Sequence, residues 1–116
     1  MLGRGGPDGG VPQREADTMS HTIHVVFPCQ EGKGADLLGI LNEILGDTRA
    51  FDGCESIEVY TNSDNPDTVI LWEKFETRAH HEAYLAWRIE NGMLDVLGPI
   101  LASDAEFNYL DDHPDI

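Results

Sequence analysis

From Thr68 to Glu73 the chain reads TVILWE, and the four successive apolar residues Val69, Ile70, Leu71 and Trp72 put apolar side chains on both faces of any strand they form. Successive side chains of a strand point to opposite faces, so helices stacked on one side can hide only half of this run. A chain of 116 residues has material for one domain with a modest core. The second face must therefore meet something else. The same demand recurs at Val25, Val26 and Phe27, in an apolar segment expected to run from Thr22 to Phe27 and to stop at Pro28.

Around these two segments the pattern is regular. Leu37, Leu38, Ile40, Leu41, Ile44 and Leu45 recur at helical spacing and predict a helix over 35–48. Asp52 and Gly53 break the chain before 54–61, where Ile57 and Val59 alternate with Ser56, Glu58 and Tyr60 as in a half-exposed strand. NSDNPD is a turn by composition, so this strand and the one from Thr68 to about Glu76 form a hairpin. Thr77 is placed to cap a second helix reaching about Ile89, and a shorter helical stretch follows Gly92. A last strand alternates Ala105, Phe107 and Tyr109 against Glu106, Asn108 and Leu110. The order β-α-β-β-α-β predicts an α+β, ferredoxin-like domain over 20–116, with a four-stranded antiparallel sheet and both helices on one face. The most economical cover for the bare face is the same sheet of a second copy, which makes the chain a homodimer.

Residues 1–19 are dense in Gly and Pro and have almost nothing to bury, so they are expected to form a flexible tail. Met19, directly before SHTIHVVF, has the look of a natural start. With 22 acidic against 7 basic residues, the formal net charge of -15 argues against nucleic acid and anionic lipid as partners, since both need a basic surface. No apolar run approaches the roughly 20 residues of a membrane span. Cys29 and Cys54 lack CxxC spacing, which leaves a reducing cytoplasm as the expected compartment. The carboxylates near His113 match no calcium loop, and no metal site is expected.

Chemistry-bearing residues concentrate on the second predicted helix. His80, Tyr84, Trp87 and Arg88 fall at i, i+4, i+7 and i+8, a stripe that offers a base, a phenol, a flat apolar wall and a cation. Such a set suits an aromatic ligand; Tyr84 and Trp87 are equally compatible with core packing, and His80 and Arg88 with solvent exposure. His81 sits about 100 degrees round the helix from His80, so the two do not form a metal-ligand pair. His24, inside the first apolar strand, is either a pocket base or a structural histidine bonded to a neighbour. Trp72 walls the site or fills the dimer interface, depending on the face it occupies.

The segment WEKFETRAHHEAYLAWR resembles the signature of the antibiotic biosynthesis monooxygenase domain, in which an acidic and an aromatic residue end the third strand and an alanine-rich helix follows. Glu73 and Phe75 take the strand-end positions, with Phe75 where the family usually has Trp, and Tyr84 stands where many members have His. The resemblance covers Thr22 to about Leu110 and implies a dimeric α+β barrel. It also implies oxygenation of small aromatic polyphenols or quinols by O2, with no metal, flavin or haem as cofactor. In that reading His80 or His24 is the base, assisted by Tyr84, and Trp72, Trp87, Arg88 and Phe75 shape the substrate pocket. A haem-degrading branch of the family uses Asn, Trp and His at positions matched here by Phe27, Tyr84 and Leu94, so the resemblance does not extend to haem degradation. Two rivals share the fold: a non-catalytic barrel that binds an apolar small molecule, and a cyclase or isomerase of polyketide aromatics that needs the base but no oxygen.

Overall fold

The computed structural model describes residues 20–116. The expected tail over 1–19 lies outside the described residues. The elements run β1 (His21–Pro28), α1 (Gly34–Arg49), β2 (Cys54–Asn62), β3 (Asn65–Phe75), α2 (Arg78–Glu90), α3 (Met93–Leu97) and β4 (Glu106–Leu110). The four strands form one antiparallel sheet in the order β2-β3-β1-β4. This is the ferredoxin-like α+β arrangement expected from the sequence.

Most boundaries fall within a residue or so of expectation, and two of the differences bear on packing. Pro28 closes β1 as its last residue instead of lying beyond it, and its carbonyl accepts the Ala102 N–H at 2.8 Å. β3 begins at Asn65, three residues before Thr68, because β2 continues to Asn62 and leaves a two-residue turn. The register slips between Thr61↔Val69 and Asn62↔Asn65, so Pro66 and Asp67 sit in an irregular stretch where the missing proline N–H breaks no ladder. This irregularity presents the Asp67 carboxylate to the N–H groups of Gly32 and Gly34 at 3.0 and 2.9 Å, where it anchors the start of α1. A Cβ on Gly34 would collide with the Pro66 carbonyl, so α1 can approach β3 this closely only through glycine.

One face of the sheet is packed. Ile23, Val25 and Phe27 of β1, Val69, Leu71 and Phe75 of β3, and Ile57 of β2 meet Leu37, Leu41 and Leu45 of α1, Tyr84 of α2, and Leu97 and Ile100. The spacing Leu37, Leu41, Leu45, Thr48 is the buried stripe of α1. Among the described residues no helix covers the other face. Register places Glu58, Trp72, His24 and Asn108 in one row across it and Tyr60, Ile70, Val26 and Glu106 in the next. Trp72 is 38% exposed and Tyr60 52%. The two-faced apolar run seen in the sequence is thus real, with Val69 and Leu71 inward and Ile70 and Trp72 outward. Among the described residues no helix is long and apolar enough to cross a membrane.

Candidate functional site

α2 starts at Thr77, whose hydroxyl accepts the His80 N–H at 3.1 Å as a cap. From there the helix turns His81, Tyr84, Leu85 and Arg88 toward the sheet and α1, at i, i+3, i+4 and i+7. These side chains line a cavity of about 170 Å³ enclosed by the helices and the packed face of the sheet. Its floor includes Phe27, Leu71, Glu73 and Phe107, and Ile40 and Ile44 of α1 with Met93 and Val96 of α3 form a partly exposed rim. The wall is mostly apolar, with Leu, Ile and Val making up half of its residues.

Polar chemistry enters this apolar space at two places. At the sheet, Glu73 is 3% exposed and His81 1%, and His81 Nε2 stands 3.2 Å from Glu73 Oε1. The two atoms are not aligned for a hydrogen bond, so each is buried without a bonded partner among the described residues. The other ring nitrogen, Nδ1, lies 2.8 Å from the Tyr109 hydroxyl. Register explains the convergence: Glu73 of β3, Ile23 of β1 and Tyr109 of β4 lie side by side on the inner face, and His81 spans above them. Phe75 packs its ring edge-on against His81 at 5.1 Å and holds the imidazole in place. The Arg78 guanidinium covers the Tyr109 ring at 3.9 Å. Burial raises the Tyr109 pKa above its ordinary value, helped by the charges of Glu82 and Glu73 against the opposing Arg78, so the phenol keeps its proton.

At the other place, Arg88 Nε donates to the Tyr84 hydroxyl at 2.9 Å. Its Nη2 donates to the Ile44 carbonyl at 2.9 Å and to Thr48 Oγ1 at 2.7 Å. Thr48 and Tyr84 hydroxyls lie 2.8 Å apart, which closes a ring of bonds that fastens α2 to the end of α1. Thr48 is fully buried, so this network also satisfies a hydroxyl that would otherwise be stranded.

The residues singled out from sequence divide by location. Tyr84 and Arg88 line the cavity. Phe75 is fully buried behind it, and Trp87 lies beside it against Phe51, with ring centroids 5.5 Å apart. His80 is turned away: its Nδ1 lies 2.7 Å from the Thr77 hydroxyl and its Nε2 3.7 Å from Asp52. His24 and Trp72 lie on the opposite face of the sheet, in edge-to-face contact at 5.8 Å. The histidine that turns to the cavity is His81, beside Tyr84 and Arg88 of the expected stripe. Its partner could have been found from the strand alternation, because Glu73 falls in phase with Val69, Leu71 and Phe75 and a carboxylate there must face the core.

Neither thiol is poised as a nucleophile. Burial, followed by the charge of Asp67, raises the Cys29 pKa; burial, followed by Glu73 and Glu55 against Arg49, raises that of Cys54. Among the described residues no cluster of three His, Cys, Asp or Glu side chains is placed to hold a metal ion.

A family model described as antibiotic biosynthesis monooxygenase matches residues 20–87. No curated protein matches the chain. Among solved structures, protein SO0527 from Shewanella oneidensis is similar at 25% identity with a TM-score of 0.68, over 80% of this chain and 92% of that one. A conserved protein from Methanosarcina mazei Go1 aligns at 13% identity and a TM-score of 0.73, over 84% and 96% of the two chains. A crystal structure named antibiotic biosynthesis monooxygenase aligns at 14% identity and a TM-score of 0.71, over 81% and 99%.

Proposed function

The chain belongs to the antibiotic biosynthesis monooxygenase family, and from that premise we propose that it oxidises a small aromatic polyphenol or quinol with O2, using the Glu73–His81 pair to take the phenolic proton. The observation that carries this reading is the pair itself: two buried polar atoms without bonded partners among the described residues, on two side chains that line an apolar cavity. Such groups are costly to leave unpaired, and a ligand hydroxyl would satisfy both at once.

With the Tyr109 hydroxyl donating to Nδ1, His81 carries its hydrogen on Nε2. The ligand hydroxyl then donates to Glu73 and accepts from His81. As the proton passes to the carboxylate, the Nε2–H steadies the phenolate oxygen, and the apolar walls leave that anion poorly solvated and rich in electrons. Oxygen, being apolar, enters such a cavity readily. The reaction balances without an external reductant: a ring C–H and a phenolic O–H become two quinone carbonyls, one atom of O2 stays on the ring and the other leaves as water. The substrate supplies all four electrons. Cavity size sets the scale, because about 170 Å³ is close to the roughly 150 Å³ of an apolar cavity that accepts benzene, which points to a single ring.

Dimerisation belongs to the same reading. Val26, Ile70 and Trp72 make an apolar strip on the uncovered sheet face, and the same strip of a second copy would bury it and close a barrel.

Oxygen uptake with one-ring hydroquinones and phenols tests the proposal. Glu73→Gln and His81→Ala should each lower the rate by about 10²–10⁴, the range expected for loss of a positioned acid or base, while His80→Gln should leave it unchanged. Uptake that survives both cavity substitutions, or is lost with His80→Gln alone, would remove the pair from the mechanism.

A further inference from the structure

Among the described residues Arg88 is the one Arg or Lys lining the cavity, and its bonding leaves a specific part of it free. Nε and Nη2 are occupied by Tyr84, Ile44 and Thr48, whereas Nη1 makes no hydrogen bond among the described residues. No carboxylate of the described residues lies within ion-pair distance of Arg88 either. This is unusual in a chain with 22 acidic side chains and 7 basic ones. Where the protein could have neutralised the guanidinium with its own acid, it uses neutral acceptors and keeps the charge.

Position matters as much as charge. His81 and Arg88 are seven residues apart on one face of α2, about 10.5 Å along the axis at 1.5 Å per residue. Leu85 lies between them, and all three line the cavity. A ligand that reaches the Glu73–His81 pair with a hydroxyl therefore directs its far end toward Arg88, with aliphatic wall between.

We infer that the ligand is a one-ring phenolic acid, its hydroxyl at Glu73 and His81 and its carboxylate at the free Nη1 of Arg88. The inference rests on the cavity reading above and adds the acid group. With Nε and Nη2 committed, Nη1 offers a carboxylate a charge-assisted contact through one nitrogen in place of the bidentate fork. Tethering through Tyr84 and Thr48 fixes the guanidinium before the ligand arrives, so little side-chain entropy is lost on binding. The partly buried setting makes this contact less sensitive to salt than a surface pair. The acidic exterior acts in the opposite sense on arrival: a net charge of -15 repels an anion, and added salt should raise the association rate.

The test is equilibrium binding under anaerobic conditions, so that no turnover intervenes, with 4-hydroxyphenylacetate and its uncharged amide as probes. The wild-type protein should bind the acid at least about ten-fold tighter than the amide, a difference of about 1.4 kcal/mol. Arg88→Lys should keep most of that preference and Arg88→Gln should level the two. Equal binding of acid and amide by the wild type, binding of neither, or a preference that survives Arg88→Gln would each overturn the inference. If Arg88→Gln does not fold, the wild-type comparison decides alone. Oxygen uptake reads the reaction separately: acid preference without uptake keeps this inference and removes the monooxygenase reading, and uptake of neutral quinols without acid preference does the reverse.

Discussion

Nε2 of His81 lies 3.2 Å from Oε1 of Glu73, and neither atom reaches water. Glu73→Leu takes away the carboxylate 3.2 Å from that buried nitrogen and puts an apolar group in its place, so alone it should destabilise the fold by about 1–3 kcal/mol. Replacing both with apolar residues of similar volume removes the desolvation penalty from both sides. Glu73→Leu with His81→Phe should therefore be more stable than Glu73→Leu alone, as measured by urea unfolding midpoints. A double variant as unstable as the sum of the two single variants would show that the pair does not act as a unit.

Alkaline stability should report on Tyr109. Burial and the nearby carboxylates raise its pKa above 10.0, so the folded state holds the phenolic proton more tightly than the unfolded chain. The contribution is complete below about pH 10 and is lost as pH rises through the raised folded value. Cys29 and Cys54 act in the same sense, starting from 9.0. Tyr109→Phe should flatten the decline in unfolding midpoint above about pH 10. It should also destabilise the fold near neutrality, where His81 Nδ1 loses its partner, by about 1–3 kcal/mol.

Tyr84 separates packing from bonding. Tyr84→Phe keeps the ring against Phe51 and Phe75, with centroids 5.3 and 5.6 Å away, but withdraws the hydroxyl that accepts from Arg88 and meets Thr48. A hydrogen bond to a charged donor is worth about 1.5–3 kcal/mol, and a loss of that size is expected in thermal or urea unfolding. A neutral effect would show that Arg88 finds another acceptor.

Trp72 probes the uncovered face. On the proposed homodimer it sits in a desolvated interface, where truncating a central aromatic costs about 2–4 kcal/mol. Trp72→Asp should weaken association by about 30–1000-fold, read by sedimentation at micromolar concentration. Wild-type protein that sediments as a stable single subunit would rule out the barrel.

Much of the architecture was legible because it follows from local rules. The alternation in Ile57 and Val59, the stripe Leu37, Leu41 and Leu45, and the cap at Thr77 each specify an element from its own residues. The misjudged boundary at Asn65 came from treating NPD as turn chemistry, when the longer partner strand drew those residues into an irregular pairing. The site was legible only in part. Tyr84 and Arg88 were singled out because helical spacing places them together, and both line the cavity, but which histidine joins them could not be fixed from spacing alone. His80 and His81 are neighbours in sequence about 100 degrees apart on the helix. Which of them turns inward depends on how α2 lies on the sheet.

The sequence by itself determined that four strands and two main helices form an α+β domain with apolar residues on both sheet faces, since side-chain periodicity and turn chemistry act over a few residues. Only the tertiary structure decided that Glu73, His81 and Tyr109 meet, and that Arg88 lines the same cavity with one nitrogen unbonded among the described residues. Those residues come from different strands and a helix separated by long stretches of chain. Their encounter depends on strand order, register and helix rotation, which the packing of the whole core sets together.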